Sequence, residues 1–103
     1  MKINHKTVNS ALYISLSGEL DENAAAYARE FLEALFERSA AKKVVMDLSS
    51  LTFMDSTGIG VLIGRFKKLK GRGIPVMIAN PSKTADKILT LSGLYELMPK
   101  IIY

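Results

Sequence analysis

The stretch Asp55-Ser56-Thr57-Gly58-Ile59-Gly60 directly follows an apolar run and directly precedes an amphipathic one. A chain that passes from buried strand to helix at such a point is headed for an α/β arrangement, in which each element covers the other's apolar face. The junction also sets a small hydroxyl, Ser56, where backbone N–H groups are short of partners. A serine so placed is a cap, a nucleophile, a phosphate cradle or a phosphorylation target, and the other residues must decide among these.

Leu12, Ile14 and Leu16 alternate with Tyr13, Ser15 and Ser17, the period of a half-buried strand ending at Gly18. The segment from Ile3 to Val8 is expected to pair with it through a turn at Asn9-Ser10. From Glu22 to Ser39, the residues Ala25, Ala28, Phe31, Leu32, Leu35 and Phe36 make one helical face, with Asp21 as its N-cap. Val44-Val45-Met46-Asp47-Leu48 has the character of a central strand covered on both faces. A second helix follows Asp55-Ser56, with an apolar stripe of Ile59, Leu62, Ile63 and Phe66 and with Gly71 and Gly73 at its end.

Residues 75–79 read as a strand. Asn80 then caps a third helix with Pro81 at its first helical position, Ile88, Leu89 and Leu91 within it, and Gly93-Leu94 at its close. A last strand is expected over residues 100–103. The order is ββαβαβαβ: an α/β protein of one domain, residues 1–103, with helices packed on a mixed sheet.

A content of 49% hydrophobic and 23% charged residues suits a folded domain of this length. The chain has no cysteine, which excludes disulfides and thiolate metal sites. The segment from Met1 to Lys6 lacks the apolar core of a signal peptide, and the apolar run from Ile59 to Gly64 is too short to span a bilayer. A soluble cytoplasmic protein is expected, with no membrane partner. Five of the 14 basic residues, Arg65, Lys67, Lys68, Lys70 and Arg72, fall within eight positions, whereas Glu19, Asp21 and Glu22 gather early.

Several chemistries can be weighed on these residues. Ser56 lacks the Gly-x-Ser-x-Gly elbow, and the single histidine, His5, lies in a polar stretch near the N-terminus, so hydrolase chemistry is disfavoured. The glycines from Gly58 to Gly64 follow a strand and open a helix, which is the right context for a nucleotide phosphate. Their spacing matches neither the Gly-x-Gly-x-x-Gly turn nor a P-loop. Asp47 and Asp55 have no further candidate ligand beside them, so no metal or other cofactor is expected. The basic stripe from Arg65 to Arg72 offers a nucleic-acid reading, but no stacking aromatics interleave with it and a helix end favours cations anyway. Met46, Met54 and Met77 sit in apolar runs and read as core.

Gly18-Glu19-Leu20-Asp21, Val44-Val45-Met46-Asp47-Leu48, Phe53-Met54-Asp55-Ser56-Thr57-Gly58-Ile59-Gly60, Gly64-Arg65-Phe66-Lys67 and Leu91-Ser92-Gly93-Leu94 together resemble the STAS domain family. The likeness covers nearly the whole chain, and the Gly-Arg-Phe-Lys segment favours the sporulation branch of its anti-sigma factor antagonists over the general stress branch. The resemblance implies a mixed sheet flanked by helices and a regulatory binding protein that is not an enzyme. It further implies a partner that is both anti-sigma factor and serine kinase, release of a sigma factor on binding, and phosphorylation of the serine after the motif aspartate, here Ser56. A phosphoserine phosphatase would reverse the mark. The Gly-Glu-Leu-Asp segment lies beside the phosphorylation loop in this family, which makes Asp21 a candidate contact. With it come Asp55, Ser56, Thr57, Gly58 and Gly60 as the partner-binding set. Family members often carry a further helix after the last strand; here the expectation is that Ile101 and Tyr103 are less covered.

Overall fold

Strands β1 (Lys2–Val8) and β2 (Ala11–Leu20) form an antiparallel hairpin in the computed structural model, which describes residues 1–102. Asn9 and Ser10 both adopt positive φ, 50° and 67°, the mirror-image turn whose twist suits a two-residue hairpin. Helix α1 (Glu22–Arg38) follows, then β3 (Lys43–Asp47), β4 (Leu51–Met54), α2 (Ser56–Gly71), β5 (Val76–Ala79) and α3 (Lys83–Ser92). A short 3-10 turn over Leu94–Glu96 leads into β6 (Lys100–Ile101).

The sheet runs β1-β2-β3-β5-β6, parallel except for the first hairpin. β2 does not end at Gly18 as its pattern suggests. There the backbone takes φ +96°, the register shifts, and the strand continues to Leu20 on a different neighbour, β4. A local irregularity of this kind re-aims a strand without breaking it. β4 is an addition to the expected order. Its four residues are buried only at the two ends, so Leu51-Thr52-Phe53-Met54 shows neither alternation nor a continuous apolar run.

Ladder partners share a face. Leu12, Val44 and Val76 line up on one side, as do Ile14, Met46 and Ile78. They join one cluster with the buried residues of all three helices, including Leu32 and Phe36 of α1, Leu62 and Leu69 of α2, and Leu89 of α3. Val45, on the other face, lies between its partners Tyr13 and Met77 and outside that cluster, although it is buried. Cover for the central strand therefore comes from helices on one side and from flanking strands on the other.

Two expectations about the helices need correction. The buried face of α2 is Gly58, Val61, Leu62, Arg65 and Leu69, while Ile59, Ile63 and Phe66 are only partly buried at its margin. The helix is turned toward α1, because Arg65 pairs with Glu33 of that helix at 3.0 Å. The cap of α3 is Ser82, whose hydroxyl accepts from Ala85 N at 3.1 Å and donates to the Leu51 carbonyl at 2.6 Å. Asn80 has φ +48° and belongs to the preceding turn, and Pro81 precedes the helix. Leu91 is helical but 78% exposed. Ile101 is half-buried and Ile102 exposed, and Tyr103 lies outside the described residues.

Two charged clusters pin the outer elements. Glu33 accepts from Lys68 at 3.1 Å and faces Arg65, and the Lys68 hydrogen bond and then the Arg65 charge hold its carboxyl below the usual carboxylate range. Asp86 accepts from the Tyr95 hydroxyl at 2.6 Å and from Lys100 at 3.1 Å, which lower its pKa in that order. Burial, and then the Asp86 carboxylate, push the Tyr95 phenol up.

Candidate functional site

Leu20 and Met54 are parallel ladder partners at the ends of β2 and β4. The residues that follow them, Asp21 and Asp55, both have extended backbone and both cap a helix. Two strand–aspartate–helix junctions therefore stand side by side, and the positive ends of α1 and α2 point the same way. Asp21 Oδ1 accepts from Asn23 N and Ala24 N at 3.0 Å each. Asp55 works across the junctions: Oδ1 accepts from Gly58 N at 2.9 Å, and Oδ2 from Glu22 N at 3.1 Å in the other helix.

These contacts separate the two carboxylates by role. Both oxygens of Asp55 are taken by backbone donors, so it fixes the site. Asp21 keeps Oδ2 without a partner among the described residues and remains open to an incoming donor. Ser56 is the first residue of α2 and is exposed, as is Thr57. Helix geometry leaves the N–H groups of Ser56 and Thr57 without intrahelical acceptors, whereas Gly58 N and Ile59 N bond the side chain and carbonyl of Asp55.

Gly58 is where the sequence permits the approach. A Cβ there would lie 2.1 Å from the Leu20 carbonyl oxygen and 2.9 Å from Met54 Cγ. Gly60 is exposed and a Cβ on it would meet nothing within 4 Å, and the same holds for a Cβ on half-buried Gly64. The glycines from 58 to 64 are thus the first turns of a helix, with no phosphate-binding loop among them.

The basic stripe is largely consumed within the fold. Arg65 is buried against Glu33, Lys68 binds the same carboxylate, and Arg72 donates to the Phe36 carbonyl at 3.0 Å at the end of α1. That argues against a nucleic-acid face. Asp47 accepts from Ser49 N and Oγ at 2.9 and 2.7 Å and from Asn80 at 3.4 Å, as a turn residue does. His5 sets its ring edge on Phe31 at 6.1 Å. Met46 and Met54 are buried, and Met77 partly so.

The segments 17–26 and 49–60, which build the site, contain Glu19, Asp21, Glu22 and Asp55 and no lysine or arginine. Phe53, paired with Glu19 on β4 and 45% exposed, adds an apolar surface beside Asp55 that the sequence did not single out. A Phe-Met pair before the motif suggests core, and only the strand geometry turns the first of the two outward. Among the described residues, no helix is long and apolar enough to cross a membrane.

Comparison with known proteins gives a consistent result. The profile of the STAS domain matches residues 2–103. An anti-sigma F factor antagonist from Paenibacillus polymyxa is 33% identical over 88 residues, covering 85% of this chain and 75% of the relative. The solved structure of the anti-sigma factor antagonist SpoIIAA in its unphosphorylated form is 30% identical with a TM-score of 0.77, covering 97% of this chain and 88% of that one. The Bacillus cell fate determinant SpoIIAA in its phosphorylated form is 29% identical with a TM-score of 0.73, covering 97% and 91%.

Proposed function

The chain belongs to the STAS domain family, and from that membership we propose that it is an anti-sigma factor antagonist switched by phosphorylation of Ser56. In this reading it binds, in the cytoplasm, an anti-sigma factor with serine kinase activity and releases the sigma factor. A phosphoserine phosphatase returns it to the binding form. It is a binding module and not an enzyme. The relative named for sigma F and the two SpoIIAA forms favour the sporulation branch.

The observation that carries this reading is the setting of Ser56: exposed, first in α2, and held by an aspartate that also ties down α1. Asp21 Oδ2 and the apolar face of Phe53 are the groups we assign to partner contact, with Thr57 and Gly60 forming the low surface around the hydroxyl; Gly58, buried against the Leu20 carbonyl, seats that surface and does not itself reach a partner. Asp55 supports that surface from beneath.

A phosphate on Ser56 adds about −1.5 to −2 charges. The dipole of α2 and the free N–H groups of its first turn favour that charge within the domain. The four neighbouring carboxylates oppose it, and no cation in the two segments neutralises it. Under a packed partner the dianion is a desolvated, unpaired charge, costing roughly 3 kcal/mol or more. Affinity then falls on the order of a hundredfold.

The test is incubation with the cognate kinase and ATP, followed by peptide mass mapping. One phosphate is expected, on Ser56. Ser56→Ala should still bind the kinase, and Ser56→Asp should bind poorly. Phosphate on Thr57, or undiminished binding by the phosphorylated protein, would refute the assignment.

A further inference from the structure

We propose that the outer edge of β1 pairs with β1 of a second copy of this chain, antiparallel and centred on His5. β1 ends the sheet order, and six of its seven residues are exposed. It contains no proline, and its register with β2 runs unbroken from Lys2 to Val8, so no bulge twists the edge away. β6, at the other edge, has only two residues and offers no comparable template.

The direction of the free groups follows from the turn. In a two-residue hairpin the Val8 carbonyl faces Ala11 N–H, and hydrogen-bonded and non-hydrogen-bonded pairs then alternate along the ladder. Lys2, Asn4, Lys6 and Val8 turn their backbone groups toward β2. Ile3, His5 and Thr7 turn theirs outward, giving three donors and three acceptors on the open edge.

Side chains select the register. A continued sheet must keep helix-side residues opposite helix-side residues, which restricts the pairing to registers that match odd with odd positions. Centring on His5 pairs all seven residues and sets Lys2 opposite Val8 and Lys6 opposite Asn4. Moving the centre to Asn4 sets Lys2 against Lys6, and moving it to Lys6 sets Lys6 against itself. Larger shifts leave only three pairs or fewer. The His5 register is the single full-length one, and it has no lysine opposite another.

The helix side is complementary as well. His5 packs on Phe31 at 6.1 Å, and Phe31 on Tyr27 at 5.9 Å, with Tyr27 48% exposed. Three strand spacings of about 4.8 Å separate β2 from its copy. The axes of the α1 helices, which pack on β2, would therefore run about 14 Å apart, a little more than the diameter of a helix with its side chains, so that the two helices meet side by side. Tyr27 and Phe31 are the α1 side chains nearest that seam and would meet their counterparts there. The contact is isologous, closes at two copies and leaves the Ser56 junction uncovered at the strand ends.

The test is sedimentation velocity and light scattering of the full chain from micromolar to millimolar concentration, where the mass should rise from 11.3 kDa toward twice that value. Asn4→Lys places two lysine pairs in apposition and should weaken the dimer roughly two- to thirty-fold, while Asn4→Glu, opposite Lys6 twice, should tighten it by a similar factor. Asn4 is exposed, so circular dichroism and melting should show both variants folded. A mass that stays monomeric throughout, or two variants that shift the equilibrium in the same direction, would overturn the proposal.

Discussion

Replacing Gly58 by alanine tests how tightly α2 is seated on the sheet. The new Cβ would lie 2.1 Å from the Leu20 carbonyl oxygen, 2.9 Å from Met54 Cγ and 3.0 Å from Leu20 Cγ. Ordinary contact begins at 3.4 Å, so relief requires a retreat of about 1.3 Å from a backbone atom that cannot rotate away. The same retreat stretches the Asp55–Gly58 cap from 2.9 Å and the bond from Asp55 N to Leu20 O from 3.4 Å. Overpacking of this kind costs about 1–3 kcal/mol, and loss of the cap adds about 1. Against this, alanine gains about 1 kcal/mol of helix propensity over glycine. The expected net loss is about 1–3 kcal/mol.

Gly60→Ala supplies the control. It sits in the same helix with open space around it, so the propensity gain stands alone at about +1 kcal/mol. Urea denaturation at fixed temperature, with slopes compared, reads both changes on one scale. Calorimetry should separate the two variants by roughly 10–20 °C. If Gly58→Ala falls within about 0.5 kcal/mol of the parent while Gly60→Ala is stabilised, the close seating of α2 is wrong.

Asp55→Ala should cost about 2–4 kcal/mol, because its two oxygens tie the first turns of two different helices, whereas Asp21→Ala, which frees the first turn of α1 alone, should cost about 1; nuclear magnetic resonance should show Glu22 and Gly58 amides shifting together in the first variant. Arg65→Met should stay within about 1 kcal/mol of the parent or exceed it, since Arg65 Nε and Nη1 are buried without partners and Lys68 still serves Glu33; a loss above about 3 kcal/mol would show the ion pair to be a net stabiliser. Glu33 and Asp86 titrate below their unfolded values of 4.5 and 3.8, so their stabilisation is complete above those values and is lost as pH falls through the lower folded ones. Glu33→Gln with Asp86→Asn should therefore flatten the acid limb of a stability profile below about pH 4, and an unchanged limb would count against both clusters.

Elements with a clean period were legible in the sequence, and those decided by remote contacts were not. Asp21 and the spacing of Ala25, Ala28 and Leu32 announce α1, and the structure begins that helix at the next residue. The rotation of α2 depends on Glu33, a residue 32 positions before Arg65, and a charged side chain gives no local sign that it will be buried. β4 stayed hidden because its middle residues face solvent. Ser82 outcompetes Asn80 as a cap through the Leu51 carbonyl, on a strand the pattern did not show. At the site, the motif marked Ser56 and family likeness brought Asp21 near it. The sharing of Asp55 between two helices is written in neither segment alone, since it arises only when Leu20 and Met54 become neighbours.

The bend at Gly18 lets one strand serve two ladders. β2 is paired to β1 over residues 11–17, to β3 over residues 11–15 and to β4 from Gly18 onward. Three neighbours thus depend on a single strand, in which Ile14, Leu16 and Leu20 are 0% exposed. None of the three can be released by peeling β2 away without the others losing their partner too. In hydrogen exchange, the amides of Ile14 and Leu16 should open only with the whole domain, whereas the ends of β6 and the last turn of α3 exchange through local fraying. The strand that carries the Gly-Glu-Leu-Asp segment is then the slowest clock in the molecule, set directly beside a serine that must stay accessible.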